Sequence, residues 1–118
     1  MTKDLRSFIT ELETNAPEEI ARVSQSISAR YEITALLTQL EKRKQFPLLF
    51  CEKVQGGNAP IVINAQASRR LMAMALECKP EELAAKFSER QSKPIAPVEM
   101  INAPVHEVIQ TGDDVDLA

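Results

Sequence analysis

The chain has 118 residues, a length that fits one compact domain, because single hydrophobic cores usually serve roughly 100 to 150 residues. Hydrophobic residues make up 44% of the chain, enough to build such a core, so a disordered protein is excluded. The 14 Lys and Arg against 17 Asp and Glu give a net charge of −3, which argues against a nucleic-acid partner. No membrane-span or signal-peptide pattern is visible, so we expect a cytoplasmic protein.

Helical spacing of apolar residues predicts the first two helices. Residues 4–12 place four apolar side chains on one face. Residues 33–40 repeat this stripe, and Ser28 is expected to cap that second helix. Basic residues at 42–44 suit the negative end of its dipole. Both helices are therefore expected to pack on a core.

Two further helices are predicted in the second half of the chain. One begins at Ser68, and the next begins at residues 79–82, where Pro80 suits the first turn of a helix. We expect Leu83 and Phe87 to pack this last helix on the core.

Strands are predicted at residues 19–26, 48–54 and 60–64, from β-branched and apolar runs bounded by turn residues. After Ser92, repeated prolines between apolar residues predict extended edge segments. The order of elements predicts an α/β fold, in which about four helices pack on a small mixed sheet within a single compact domain. We place that domain at residues 1–111 and an acidic linker at 112–118.

The nucleophilic and titratable residues form no recognisable catalytic pattern. Cys51 and Cys78 lack the spacing of a zinc site or disulfide framework, so both are interpreted as structural thiols. His106 has no serine or cysteine beside it, and a surface or interface role is favoured. The acidic residues Asp113, Asp114 and Asp116 lack the pattern of a metal loop and are interpreted as a solvated linker. The sequence therefore predicts no catalytic and no metal-binding residue.

Arg69 and Arg70 are the candidate site residues. They stand at the start of a predicted helix that follows a buried strand, where two guanidiniums and free backbone N–H groups can hold an anion. Contacts to another domain, or a solvated helix face, explain the pair as well. The turn at Gly56-Gly57 lacks a nucleotide-binding motif and is interpreted as a hairpin turn.

The chain as a whole resembles the N-terminal region of the UbiD family of decarboxylases. The resemblance covers nearly its full length and rests on four segments in order: DLRSFITELE, EEIARVSQSISARYEITALLTQLE, FPLLFCEKVQGGNAPIVINAQASRRLMAMAL and APVHEVIQTGDDVDLA. One departure is Glu77-Cys78, at a helix end where the family commonly has glycine.

The resemblance implies a parent enzyme that removes carbon dioxide from aromatic or α,β-unsaturated acids, or adds it. Prenylated FMN, Mn²⁺ and K⁺ are the implied cofactors, and the flavin would carry the covalent chemistry. The family's catalytic and cofactor-binding residues lie in a central flavin-binding domain, so the resemblance assigns none to this chain. The parent is expected to be a homo-oligomer.

Three hypotheses follow. The chain is the N-terminal domain of a longer decarboxylase, packed against the flavin-binding domain. Alternatively, it is a free-standing small subunit of a split decarboxylase or carboxylase. The third hypothesis is that the chain is a binding module in which Arg69 and Arg70 hold a phosphate or nucleotide.

Overall fold

A computed structural model describes residues 3–115 of the chain. Within them, four α-helices and a three-stranded sheet form one α/β unit, as predicted. Short 3₁₀ turns connect several of these elements. The α-helices and strands, in chain order, are α1 (Leu5–Asn15), β1 (Ile20–Ser28), α2 (Glu32–Lys42), β2 (Leu48–Gln55), β3 (Ile61–Ile63), α3 (Arg69–Ala75) and α4 (Leu83–Gln91).

The sheet is mixed and has the order β1-β2-β3. Strand β1 pairs with β2 in parallel through the crossover helix α2, whereas β2 and β3 are antiparallel neighbours. The register of β1 against β2 shifts between Val23 and Ser26. Since β2 lies in the centre, β1 and β3 are the two edges of the sheet.

Each face of the sheet carries its own core. Helices α1 and α3 cover one face, where Leu12, Leu48 and Leu71 are fully buried. Helix α2 covers the other face, where Ile33 packs with Leu49 and Cys51 of the central strand. The alternation of β2 side chains between the two faces follows from the period of two in a strand. Helices on both sides of a sheet make this a three-layer arrangement.

Local hydrogen bonds fix the ends of α1 and α3. The backbone N–H of Ser7 donates to Asp4 Oδ1 at 2.7 Å, and the Asp4 N–H donates to Ser7 Oγ at 2.9 Å, so each residue caps the other. Ser68 caps α3 by accepting from the N–H of Leu71 at 3.0 Å. These caps satisfy N–H groups that have no partner within the helix.

Helix α3 ends in a Schellman motif. The Cys78 N–H donates to the Ala73 carbonyl at 3.0 Å, and the Glu77 N–H donates to the Met74 carbonyl at 3.1 Å. Glu77 has a φ of 55°, in the left-handed region that glycine adopts most easily. The UbiD family commonly has glycine at this helix end, and glycine adopts the backbone conformation of Glu77 without strain.

The predicted cap of the second helix is wrong. Ser28 is the last residue of β1, where it lies opposite Gln55 of the central strand. Its backbone N–H donates to Glu32 Oε2 at 2.7 Å, so the first residue of α2 helps to hold the strand end. Pairing with the full length of β2 extends β1 two residues beyond the predicted strand end.

The predicted edge strands after Ser92 are also wrong. Residues 92–115, called the C-terminal arm below, contain no strand and only two short 3₁₀ turns, at Pro104–Glu107 and Gly112–Asp114. The radius of gyration is 17.6 Å, against about 13 Å for a compact chain of roughly 100 residues. An arm that stands away from the packed elements accounts for this difference.

Helix α4 packs less closely than predicted. Leu83 is half-buried and Phe87 is 57% exposed, so Phe87 does not join the core. The helix lies against α3 and the 3₁₀ turn that precedes it, at the side of the molecule from which the arm departs.

Candidate functional site

Arg70 is already paired with two carboxylates. Its Nη2 lies 2.6 Å from Glu18 Oε1, and its Nη1 lies 3.2 Å from Glu19 Oε1. The backbone N–H of Glu18 and then the Arg70 guanidinium lower the pKa of Glu18. The Ser68 hydroxyl donates to the Glu19 carboxylate at 3.4 Å, which joins the helix cap to the same cluster. An anion arriving at this helix end would meet two negative charges.

Arg69 has a different partner. Its Nη2 donates to the Pro80 carbonyl at 3.1 Å, across the turn between α3 and α4. The structure thus places the two predicted site residues side by side but does not direct them to one binding position. Arg70 links α3 to the segment before β1, and Arg69 links α3 to the segment before α4.

Arg69 also stands at the edge of an open groove between α3 and α4. The groove has a volume of about 400 Å³, within the roughly 300–1,000 Å³ range of binding pockets. Its walls are mainly apolar and include Phe87, which is 57% exposed. This α3–α4 groove is lined by Gln66, Arg69, Met72, Ala75, Leu76, Leu83, Ala84 and Phe87.

The C-terminal arm carries a second apolar surface. Its side chains include the most exposed large hydrophobic ones of the described residues: Ile95 is 95% exposed, Ile101 92% and Val98 88%. The same is true, to a lesser degree, of Met100, Val105, Val108 and Ile109. Large exposed apolar side chains in such number mark interaction sites in proteins.

The arm is also distinct in charge. Lys93 is the only Lys or Arg of the arm, and residues 94–118 contain five acidic residues and no Lys or Arg. The acidic run begins with Asp113 and Asp114 in a 3₁₀ turn, and Asp116 lies outside the described residues. A negative, apolar arm is therefore attached to a weakly positive body.

The cysteines occupy different environments. Cys51 is fully buried in β2, and burial raises the pKa of its thiol. Cys78 is half-buried, and its backbone closes the Schellman motif of α3. A protonated thiol inside a core is a poor nucleophile, so Cys51 acts as a small apolar side chain.

The described residues do not fit the cofactors that the UbiD resemblance implies. Within 3–115, no three His, Cys, Asp or Glu side chains are grouped to hold a metal ion. His106 is exposed in the arm. The guanidinium best placed for a phosphate, that of Arg70, is bound by carboxylates. We therefore derive no catalytic step through a flavin or a metal from these residues.

The sequence predicts α3 and its two arginines but not the groove. The signal was present in Leu83 and Phe87, one helical turn apart, yet apolar periodicity does not say whether a stripe meets the chain's own core or another surface. The exposed arm is not predicted for the same reason, because its apolar residues are equally typical of strands at a sheet edge.

A comparison with protein families identifies the chain. Residues 12–91 match the family model for the 3-octaprenyl-4-hydroxybenzoate carboxy-lyase N-terminal domain. The match runs from α1 to the last residue of α4 and contains the whole sheet, the two arginines and the α3–α4 groove. Among residues 3–115, no helix has the length and apolar character needed to cross a bilayer. The chain therefore belongs to the UbiD family of carboxy-lyases, as an N-terminal domain.

Proposed function

We propose that this chain is a non-catalytic structural domain that packs against the flavin-binding domain of a UbiD-type enzyme. The parent would decarboxylate or carboxylate aromatic or α,β-unsaturated acids with prenylated FMN, Mn²⁺ and K⁺. We also propose a cytoplasmic location and a homo-oligomeric parent. The family match supports a place for this chain in a UbiD-type enzyme. The exposed apolar surface of the arm and of the α3–α4 groove supports packing against another domain.

The energetics favour a permanent partner for this surface. Burying one large aliphatic side chain contributes roughly 1.5–3 kcal/mol, and the arm holds seven such residues between Ile95 and Ile109. The three prolines of the arm, Pro94, Pro97 and Pro104, limit its conformations before binding. A smaller entropy cost of ordering then leaves more of the burial energy for association.

Within this proposal, the two arginines have separate roles. Arg69 stands on the rim of the α3–α4 groove, where its guanidinium can contact the neighbouring domain. Arg70 holds α3 to the segment before β1 through its two carboxylates. A phosphate-binding role for the pair gains no support from these contacts.

The test is a binding measurement between two separate polypeptides. The 118-residue chain is mixed with a UbiD-type enzyme from which the N-terminal domain has been removed, and association is measured by calorimetry. We expect binding that is weakened at least about 100-fold by the paired changes Val98→Asp and Ile101→Asp, because charges replace buried aliphatic groups. Gln39→Asp, on the exposed side of α2, is the matched control and should leave binding unchanged.

Two outcomes would contradict the proposal. One is equal binding by the arm variant and the control. The other is release of carbon dioxide from an aromatic acid by the purified chain alone, abolished by His106→Ala.

A further inference from the structure

The edge strand β1 has a free side along its length. It is nine residues long, and within residues 3–115 it pairs only with β2. At the register shift, Ser24 and Gln25 have no opposite residue even in β2. Backbone N–H and C=O groups on an unpaired edge are ready to pair with another strand. The opposite edge, β3, has only three residues and offers much less.

The sequence of β1 is nearly symmetric about Gln25. Residues 21–29 are ARVSQSISA, so Ser24 mirrors Ser26, Val23 mirrors Ile27, and alanine stands at both ends. In an antiparallel pair of identical strands related by a two-fold axis, mirrored residues lie directly opposite each other. Two copies of β1 would therefore match serine with serine and one aliphatic side chain with another.

The burial pattern agrees with such a pair. Val23 and Ile27 both belong to the core under α2, so their cross-strand contact would join that core to the same core in a second copy. Ser24, Gln25 and Ser26 are exposed and carry no charge. A groove of about 690 Å³ runs along the strand, lined by residues 22–27 together with Glu32 and Leu36 of α2.

Two usual protections of an edge strand are missing from β1, and the register shift between Val23 and Ser26 is the one irregularity that it carries. No lysine or proline occurs in Ile20–Ser28. The one charged residue, Arg22, donates to the carboxylates of Glu13 and Glu52 and lies 4.5 Å above the Phe50 ring centroid. Its charge is therefore compensated inside its own copy and does not oppose association.

From these observations we propose that two copies of this chain associate through β1. The strands pair antiparallel across a two-fold axis at Gln25 and join two three-stranded sheets into one sheet of six strands. Ser24 of each copy lies opposite Ser26 of the other, and Val23 lies opposite Ile27. This dimer does not require a flavin-binding domain, because every residue of the β1 interface belongs to this chain.

Paired charge variants test the register as well as the interface. Ser24→Lys with Ser26→Lys places like charges opposite each other in both symmetric positions, whereas Ser24→Lys with Ser26→Glu places opposite charges there. Mass is measured in solution by light scattering and sedimentation over a range of concentrations. We expect the first variant to raise the dimer dissociation constant about tenfold or more, and the second to retain the dimer.

Because Ser24 and Ser26 are exposed, both variants should fold, and circular dichroism with thermal melting checks this. The wild-type chain is expected to be a dimer. A wild-type chain that stays monomeric at its highest soluble concentration would overturn the proposal. A dimer that persists in a folded Lys/Lys variant would overturn it too, since association would then use another surface such as the arm.

A cross-link locates the two-fold axis. In a Cys78→Ser background, Gln25→Cys places two thiols opposite each other, at a Cα separation of about 4.5–5.5 Å that permits a disulfide. Ser28→Cys is the matched control, because its two copies would lie roughly 20 Å apart along the paired strands. Rapid oxidation to a dimer is expected for the first variant only. Equal cross-linking of both would contradict this register.

Discussion

The packed body, residues 5–91, and the C-terminal arm both contain many apolar residues, yet only the body buries them. In the body, apolar residues recur at the period of a helix or a strand, so that each element presents one face to a neighbour. In the first part of the arm, Pro94, Pro97 and Pro104 interrupt such patterns before an α-helix or strand forms. Apolar residues supply the free energy of burial in both regions. Their periodicity decides whether the chain can bury them within its own fold, without a partner.

The largest expected difference between the two regions comes from truncating one side chain in each. Leu71 is fully buried between α3 and the sheet, so Leu71→Ala should lower the free energy of unfolding by about 2–5 kcal/mol. Ile101→Ala removes a side chain that is 92% exposed and should change that free energy by less than about 0.5 kcal/mol. Urea unfolding followed by circular dichroism measures both. Similar losses of unfolding free energy in the two variants would mean that the arm unfolds cooperatively with the body.

A smaller and opposite effect is expected at the end of α3. Glu77 adopts a left-handed backbone conformation that costs an L-residue roughly 1–2 kcal/mol, so Glu77→Gly should stabilise the body by about 1 kcal/mol. The gain is reduced by losing the ion pair with Lys3, whose Nζ lies 3.5 Å from Glu77 Oε1. Glu77→Ala loses the same ion pair without gaining backbone freedom and is the control. Thermal melting that ranks the alanine variant above the glycine variant would contradict this explanation.

Acid should weaken the body through its first helix cap. The backbone N–H and the hydroxyl of Ser7 lower the pKa of Asp4. A lowered folded-state pKa means that the carboxylate's contribution to stability is present above the unfolded value, near 4, and is lost as pH falls through the folded value. Asp4→Asn keeps a capping oxygen but does not titrate. Its melting temperature should therefore fall less steeply below about pH 4 than that of the wild type; parallel curves would exclude this cap as the cause.

The smallest effect is expected from removing the arm itself. Deleting residues 94–118 leaves intact every α-helix and strand found among residues 3–115, and the melting temperature should stay within about 2 °C of that of the full chain. A second deletion, of residues 112–118, tests the predicted boundary between domain and linker. If only the longer deletion destabilises the chain, residues 94–111 belong to the domain as predicted from the sequence.

Much of the body could be predicted because its signals are local. The stripe over residues 33–40 and the β-branched run at 61–63 each specify one element without reference to distant residues. Ser68 was recognised as a helix start because its hydroxyl caps α3 within the same segment. The start of α2 was missed because pairing with β2, more than 20 residues away, extends β1 to Ser28.

The candidate site depended on contacts that sequence does not specify. Arg70 lies 51 residues from Glu19, and only the folded chain shows that their side chains meet. The same applies to Phe87, whose exposure depends on how α4 lies against α3. The symmetry of β1 was visible in the sequence, but it has meaning only because the topology leaves that strand at an edge.

The parallel pairing of β1 with β2 also determines when the fold can form during synthesis. β1 must wait for the whole of α2 and β2 to emerge from the ribosome, whereas β2 and β3 can meet soon afterwards through a short turn. A nascent chain therefore carries an unpaired nine-residue strand while residues 29–55 are added. Two such chains on one messenger would expose their self-matching strands before either had finished its own sheet.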